Sequence, residues 1–335
     1  MLSVRDSRPA VLAAPALELS IVVPLFNEEG NVRALVDAVR AAVPAHVAGY
    51  ELVLVSDGST DGTWRVISEM AELHPEVVGL ELSRNFGHQG ALWAGLHAAR
   101  GRAIVSMDGD LQHPPEMLAE LLEAHARGYQ VVNTQRADSQ DTSGFKRLTS
   151  RWFYDVFSKL SGVRMEAGSS DFRLLDRSAL EALLGMNDGD LFIRGLVTWL
   201  GFKTIVLPYT ARERHSGVPK FTLKKMVRFA TGALLSFSAL PLRLGIWIGF
   251  LTSFLAFLEI CYILLRYSQG ETIAGWASLR TILSFMFGVL FVLIGIVGTY
   301  LGKIYEILKG RPRFVVGRAV RGKSHGSDHC VATVE

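Results

Sequence analysis

Two long apolar stretches near the C-terminal end constrain this chain more than any other feature. Residues 244–265 lie between Arg243 and Arg266 with Glu259 as their sole charge. Residues 281–302 lie between Arg280 and Lys303 and carry no charge at all. At ~1.5 Å rise per residue, a helix of either length reaches about 33 Å, a match for a hydrocarbon core of ~30 Å. Both are therefore predicted to cross a bilayer, in preference to packing as core helices of a soluble domain. Mean hydropathy is +0.27 although 20% of residues are charged, so apolar residues are concentrated rather than spread. Glu259 falls in the last two turns of the first span, where it can reach the far interface; an intramembrane functional site is the other reading.

Basic residues set the orientation. The linker between spans has Arg266 and Arg280 against Glu271, whereas Lys303, Lys309, Arg311, Arg313, Arg318, Arg321 and Lys323 follow the second span. Positive-inside bias puts the basic tail (303–335) in the cytoplasm, and two crossings put the N-terminal domain there too. The expectation is a multi-pass protein of the cytoplasmic membrane with both termini inside. Residues 1–18 read as a frayed arm, since their Ala-rich stretch is short and broken by Pro15. Cys261 and Cys330 lie in no metal-ligand or disulfide pattern, which suits a reducing compartment.

Ahead of the spans, short β-branched runs alternate with amphipathic segments. Strands are predicted at 20–26, 51–56, 77–82, 103–107 and 130–134, and helices at 29–42, 61–73, 88–99 and 115–127. Alternation of this kind implies crossover units and a mostly parallel α/β sheet, and the nearly continuous apolar runs imply helices on both faces. This domain is expected to occupy 19–220. Residues 221–241 follow it as an amphipathic helix, with Lys224, Lys225 and Arg228 near its start. That helix suits the headgroup plane ahead of a membrane anchor at 242–302, or a solvated helix covering the core.

Ligands of open α/β sheets sit beyond the C-terminal strand ends. There the fourth strand runs into Asp108-Gly109-Asp110-Leu111-Gln112-His113. Carboxylates spaced i, i+2 point to one side of an extended chain and suit a hard divalent ion, Mg²⁺ or Mn²⁺, shared with substrate phosphates. Alone, an Asp-x-Asp pair also suits a turn; its place after a strand strengthens the metal reading. The first strand closes on Pro24, Phe26, Asn27 and Glu28, the second on Ser56, Asp57 and Gly58. Asp57 can accept from a base or ribose, or cap a turn, a job that Asp61 also fits. No G-x-G-x-x-G follows a strand and no P-loop is present, which disfavours dinucleotide and P-loop chemistry.

In order, Val23-Pro24…Asn27-Glu28, Ser56-Asp57-Gly58-Ser59, Asp108-Gly109-Asp110-Leu111-Gln112, Thr134-Gln135-Arg136, Ser170-Asp171-Phe172-Arg173-Leu174 and Arg214…Lys220-Phe221 resemble the signatures of family-two glycosyltransferases with the GT-A fold. With two C-terminal spans, the set is similar to the polyprenyl-phosphate glycosyltransferases, including the bactoprenol glucosyltransferase and dolichol-phosphate mannosyltransferase groups. The resemblance implies a Rossmann-like GT-A domain in which Pro24, Phe26, Glu28 and Asp57 line the nucleoside pocket. It implies that Asp108 faces the donor, that Asp108, Asp110 and Gln112 hold the metal, and that Arg136, Arg214 and Lys220 bind phosphates. Asp171 matches a position proposed as catalytic base, with Asp110 the other catalytic carboxylate. Ser56 stands where the family has a second Asp, and Pro219 where it has a small residue.

From this resemblance the expected reaction is inverting transfer from a nucleotide sugar, UDP-glucose first and GDP-mannose next, to undecaprenyl or another polyprenyl phosphate. A homotetramer is implied, and no nucleic-acid partner. Both substrates are anionic, so cations must offset their repulsion. Arg214 and Lys220 serve that end either at the substrates or at lipid headgroups. A phosphate monoester is already mostly dianionic at neutral pH, its second pKa being about 6. Asp171 is therefore expected to position Arg173, the acceptor or the sugar hydroxyls as much as to remove a proton. A processive synthase is the nearest rival, but Arg151-Trp152 is preceded by Leu148 where such enzymes carry Gln. A non-catalytic membrane scaffold is the rival from another class.

Overall fold

Leu19–Leu25 is buried at every position, and this first strand, β1, is the spine of the sheet. Its side chains alternate, Ile21 and Val23 facing one apolar core and Val22 the other. The computed structural model describes residues 17–137, 169–186, 192–210, 240–269 and 275–322. Helix α1 (Val32–Ala42) follows β1, then β2 (Tyr50–Ser56), α2 (Thr63–Leu73), β3 (Val77–Leu82), α3 (His88–Ala98) and β4 (Ala103–Ser106). A 3₁₀ turn (Pro115–Met117) leads into α4 (Leu118–Ala126) and β5 (Val131–Arg136). Next come β6 (Ser169–Asp176), α5 (Arg177–Leu184), α6 (Ile193–Trp199) and β7 (Thr204–Tyr209). Two long helices, α7 (Leu240–Ser268) and α8 (Trp276–Leu308), and a last strand, β8 (Val316–Arg321), complete the described chain.

The strands form one sheet in the order β7-β5-β6-β4-β1-β2-β3-β8. Strands β1–β4 pair in parallel, as does β5 with β7. The sheet is mixed, however: β6 runs antiparallel between β4 and β5, and β8 runs antiparallel to β3. The expected strands are present within a few residues, whereas β6, β7 and β8 add to the sequence expectation. Inserting β6 beside β4 brings residues 169–171 to the same edge as the end of β4.

Helices cover both faces. Val32, Leu35, Val36 and Val39 give α1 one buried stripe at helical spacing. Helix α3 is buried almost all round, from Gly90 to Leu96. A Cβ on Gly95 would lie 2.3 Å from Val22 Cγ1, so glycine lets α3 settle onto the sheet. Its outer face is covered by the segment after α8, where the Arg313 guanidinium lies 4.8 Å from the Trp93 ring centroid and Phe314 packs 5.6 Å from His97. The tail thus contains an eighth strand joined to the same sheet, and α8 runs on to Leu308, beyond the expected end of the span at 302.

Among the described residues, Phe285–Leu308 in α8 is long and apolar enough to cross a membrane by length and composition, and α7 contains a shorter apolar segment, Gly245–Leu255. The two helices meet where Gly245 and Gly249 approach Leu293. Ile246, Phe250, Phe254, Phe285 and Phe291 on these helices are exposed. The N-terminal arm and most of the expected interface helix at 221–241 lie outside the described residues.

Candidate active site

Strand β1 can carry Pro24 because even-numbered residues there aim their backbone groups at β4. The last β1–β4 pair is Val22↔Ser106, so the missing Pro24 donor falls beyond the ladder and leaves no gap. Phe26 follows, then Asn27 at φ 53°, a left-handed conformation Asn tolerates. Asn27 Oδ1 accepts from the Thr60 amide at 2.8 Å, and the Glu28 amide donates to Thr63 Oγ1 at 2.9 Å, which ties the β1 end to the β2 end. Glu28 Oε2 accepts from Asn31 Nδ2 at 2.6 Å.

Asp57 is buried behind β2, and its Oδ1 accepts from the Phe86 amide at 2.7 Å. Burial raises its pKa, against hydrogen bonds from the Phe86 and Gly87 backbone. Ser56, in place of a second Asp, donates to Ser59 Oγ at 3.1 Å. Gly58 takes φ 60°, and the backbone it approaches is that of Arg84 and Asn85. Asp61 Oδ1 accepts from the Thr63 amide at 3.0 Å, holding the start of α2.

Beyond β4, Gly109 is required sterically: a Cβ there would lie 2.2 Å from Leu25 Cδ2. The turn continues through Leu111 at φ 60°, with the Gln112 amide donating to Asp110 Oδ1 at 3.1 Å. His113 organises this turn from below. Its Nδ1 accepts from the Asp108 amide at 2.9 Å, so Nε2 carries the proton and donates to Ser170 Oγ at 2.9 Å. The ring stacks on Phe172 at 5.0 Å, and burial pushes its pKa down, keeping it neutral. The Asp108 side chain is 38% exposed, yet its Oδ1 is buried without a hydrogen-bond partner.

Asp171, on β6, is 5% exposed and ringed by donors. Arg194 Nε and Nη2 donate to Oδ1 and Oδ2, both at 2.7 Å. Arg173 Nη2 lies 3.4 Å from Oδ1, Gln89 Nε2 donates to Oδ2 at 3.2 Å, and His88 Nε2 is 3.4 Å from Oδ2. His88 also lies 3.6 Å from Asp108 Oδ1, bridging the two carboxylates. Burial alone would raise the Asp171 pKa; the Arg194 and His88 hydrogen bonds and the Arg194 and Arg173 charges overcome it and hold it well below the usual carboxylate range. Burial lowers Arg173 to about 10 against the pull of Asp171. His88 is desolvated, but its two acidic neighbours outweigh that and raise it.

The structure therefore brings Asp108, Asp110, Gln112 and Asp171 to one edge. Pro24, Phe26, Glu28 and Asp57 sit at the neighbouring strand ends, and Arg136 ends β5. Arg214 and Lys220 lie outside the described residues. Sequence reasoning assigned nothing to His88, Gln89, His113 or Arg194. His88 and Gln89 open α3, after the loop that follows β3, and nothing in the sequence pattern marks them as site residues; Arg194 is a lone charge in the apolar run Leu191-Phe192-Ile193-Arg194-Gly195-Leu196.

No group of three or more His, Cys, Asp or Glu side chains able to hold a metal gathers among the described residues. The residues nonetheless fit a divalent cation shared with a substrate: Asp108 Oδ1 is buried and accepts no hydrogen bond, with His88 Nε2 near it at 3.6 Å, and a buried oxygen without a hydrogen bond is costly.

The family model for glycosyl transferase family 2 matches residues 20–184. Over 304 residues, 90% of this chain and 94% of the relative, the sequence is 36% identical to the uncharacterized glycosyltransferase YkcC of Bacillus subtilis. Over 307 residues, 91% of this chain and 99% of the relative, it is 34% identical to the SfII prophage-derived bactoprenol glucosyl transferase of Shigella flexneri. Among solved structures, the mannosyltransferase PcManGT from Pyrobaculum calidifontis, in complex with GDP-Man and Mn²⁺, is similar at 21% identity and a TM-score of 0.46, over 71% of this chain and 68% of that one. The sequence relatives define an enzyme of the glycosyltransferase class. The chain belongs to glycosyl transferase family 2.

Proposed function

We propose that this enzyme transfers a sugar, glucose from UDP-glucose in the first instance, to a polyprenyl phosphate at the cytoplasmic face of the membrane. The observation that carries the reading is the acidic edge: Asp108 and Asp110 follow β4, one Asp108 oxygen is buried without a hydrogen bond, and a cluster rich in arginine lies alongside. An anionic donor and an anionic acceptor need this juxtaposition of cation-holding and cationic groups. Relatives named bactoprenol glucosyl transferases support the acceptor and the sugar.

Asp108, Asp110 and Gln112 would hold Mg²⁺ or Mn²⁺, which as a Lewis acid stabilises the departing nucleoside diphosphate. Pro24, Phe26, Glu28 and Asp57 border the nucleoside, and Arg136, Arg214 and Lys220 offset phosphate charge. An acceptor phosphate oxygen attacks the anomeric carbon; the bond from that carbon to the diphosphate oxygen breaks, and the electron pair leaves with the nucleoside diphosphate. One displacement inverts configuration, so an α-linked donor gives a β-linked lipid. The dianionic acceptor needs no base to lose a proton, in keeping with an Asp171 whose oxygens are already engaged by Arg194.

The membrane arrangement is read as a two-helix anchor. Strand β8 comes after α8 and pairs with β3. That return of β8 to the sheet supports an even number of crossings, with α7 as the partner of α8. Incubation with labelled UDP-glucose and either undecaprenyl phosphate or undecaprenol tests the function. Label is expected in lipid only with the phosphate; equal labelling of undecaprenol, or none with any nucleotide sugar, contradicts it.

A further inference from the structure

The two carboxylates bridged by His88, Asp108 and Asp171, belong to different parts of the chain. The pairing of β4 with β6 ends at Ser106↔Arg173, short of both. Beyond it, Ser106 Oγ reaches the Asp171 carbonyl at 2.5 Å, and a further link is His113. The His113 side chain is 5% exposed, and each of its ring nitrogens grips a residue of the reacting edge. Nδ1 holds the Asp108 amide, and Nε2 holds the hydroxyl of Ser170, which directly precedes Asp171.

The direction of these hydrogen bonds is fixed from one end. A backbone amide can only donate, which makes Nδ1 the acceptor and Nε2 the donor. Ser170 Oγ then accepts twice, from Nε2 and from the Phe172 amide at 3.1 Å, so both of its lone pairs are taken. Its own hydrogen is left for Tyr209, to which it is hydrogen-bonded at the end of β7. Stacking on Phe172 at 5.0 Å and an edge-on contact with Tyr209 at 5.6 Å stop the ring from turning. Both nitrogens are spent on the protein, so the ring can act on the reaction only through the groups it holds.

Building on the metal site and function proposed above, we infer that His113 is a positioning residue. Its two nitrogens hold the turn of Asp108 and the start of β6 at one spacing, so that the cation-holding carboxylates and the Asp171 cluster stay in register. Partners of this kind, one step behind the groups that hold a metal, commonly govern metal affinity and turnover.

The test uses the full chain in lipid nanodiscs. Mn²⁺ binding in the presence of UDP is followed by electron paramagnetic resonance, and kcat is measured at saturating Mn²⁺ with UDP-glucose and undecaprenyl phosphate. His113→Phe keeps the volume and the stack but loses both hydrogen bonds; Mn²⁺ affinity should fall about 10–100-fold and kcat at least about tenfold. His113→Asn keeps an acceptor for the Asp108 amide and does not reach Ser170. Its Mn²⁺ affinity should stay within about threefold of wild type, while kcat falls about tenfold, the worth of one hydrogen bond. Ser170→Ala should match His113→Asn in both readings, and the double variant should be no worse than either alone. A ring needed only to fill the core would instead make His113→Phe the mildest of the three. That order, an Mn²⁺ loss in His113→Asn equal to that in His113→Phe, or kcat losses that multiply in the double variant overturns the inference alone. Wild-type enzyme that binds no Mn²⁺ with UDP overturns the metal site and this inference together. Wild-type enzyme that binds Mn²⁺ but glycosylates no polyprenyl phosphate overturns the proposed function, and the Mn²⁺ affinities then decide the inference by themselves.

Discussion

At the scale of single residues, Asp171 is held by charge and by burial at once, and its pH dependence follows. Its folded pKa lies below the value of about 3.9 expected in an unfolded chain. Its contribution to stability is therefore complete above roughly pH 4 and is lost as pH falls through the depressed folded value. Denaturant unfolding followed from pH 6 to pH 3 should show an acid-dependent loss that Asp171→Asn reduces, the remainder coming from Asp61, Glu76 and Asp176, whose pKa values are also lowered. That substitution should itself cost about 2–4 kcal/mol at pH 7, since Arg173 stays buried without its counter-charge. Gly109→Ala should also be poorly tolerated. A methyl group 2.2 Å from Leu25 Cδ2 forces the turn outward and re-aims both aspartates, so transfer activity should drop at least about tenfold with a cost of about 1–3 kcal/mol, read by kinetics and thermal unfolding. Asp108 and Asp110 stood out as ionisable groups directly after a strand, at the working edge of such a sheet, whereas Asp171, inside β6, was singled out by the family resemblance alone. Arg194 and His88 were not singled out. Their importance comes from tertiary neighbours 23 and 83 residues distant from them along the chain, as with the Arg194–Asp171 and His88–Asp171 pairs.

At the scale of elements, β1 to β5 were readable because each is an apolar run between helical segments. Strand β8 was hidden for a physical reason: Val316-Gly317-Arg318-Ala319-Val320-Arg321 lies at a sheet edge, with charges to solvent and only a thin apolar face. Strand β6 was hidden by its direction, since an antiparallel insertion breaks the crossover rule behind the parallel reading. Val320 gives β8 its anchor. It packs against the core that includes Ile67, filling the room left by Gly79, which has no side chain. Val320→Asp should cost about 2–3 kcal/mol by placing an unpaired carboxylate there, and the transition should become broader as β8 detaches. The same segment lays Arg313 and Phe314 on α3, whose first residues, His88 and Gln89, reach Asp171. Detachment should therefore lower activity as well as stability.

At the scale of the whole molecule, α7 and α8 follow the strands of the sugar-transfer sheet in the chain, and β8 returns to that sheet after them. The proposal of two crossings is testable. In a Cys261→Ser, Cys330→Ser background, cysteine at Gln269 should react with a membrane-impermeant maleimide in intact cells, and cysteine at Arg318 only after permeabilisation. Labelling of both positions from one side would refute two crossings. The deeper claim is electrostatic: a cation at Asp108 and Asp110 allows two anions to react beside the lipid surface. The direct measurement is transfer from labelled UDP-glucose to undecaprenyl phosphate by the purified enzyme, with Mg²⁺ or Mn²⁺ and then with EDTA, alongside Asp108→Asn and Asp110→Asn. The account predicts that chelation abolishes transfer, that added cation restores it, and that each substitution lowers kcat at least about 100-fold. Undiminished transfer under EDTA, or in either variant, would contradict it.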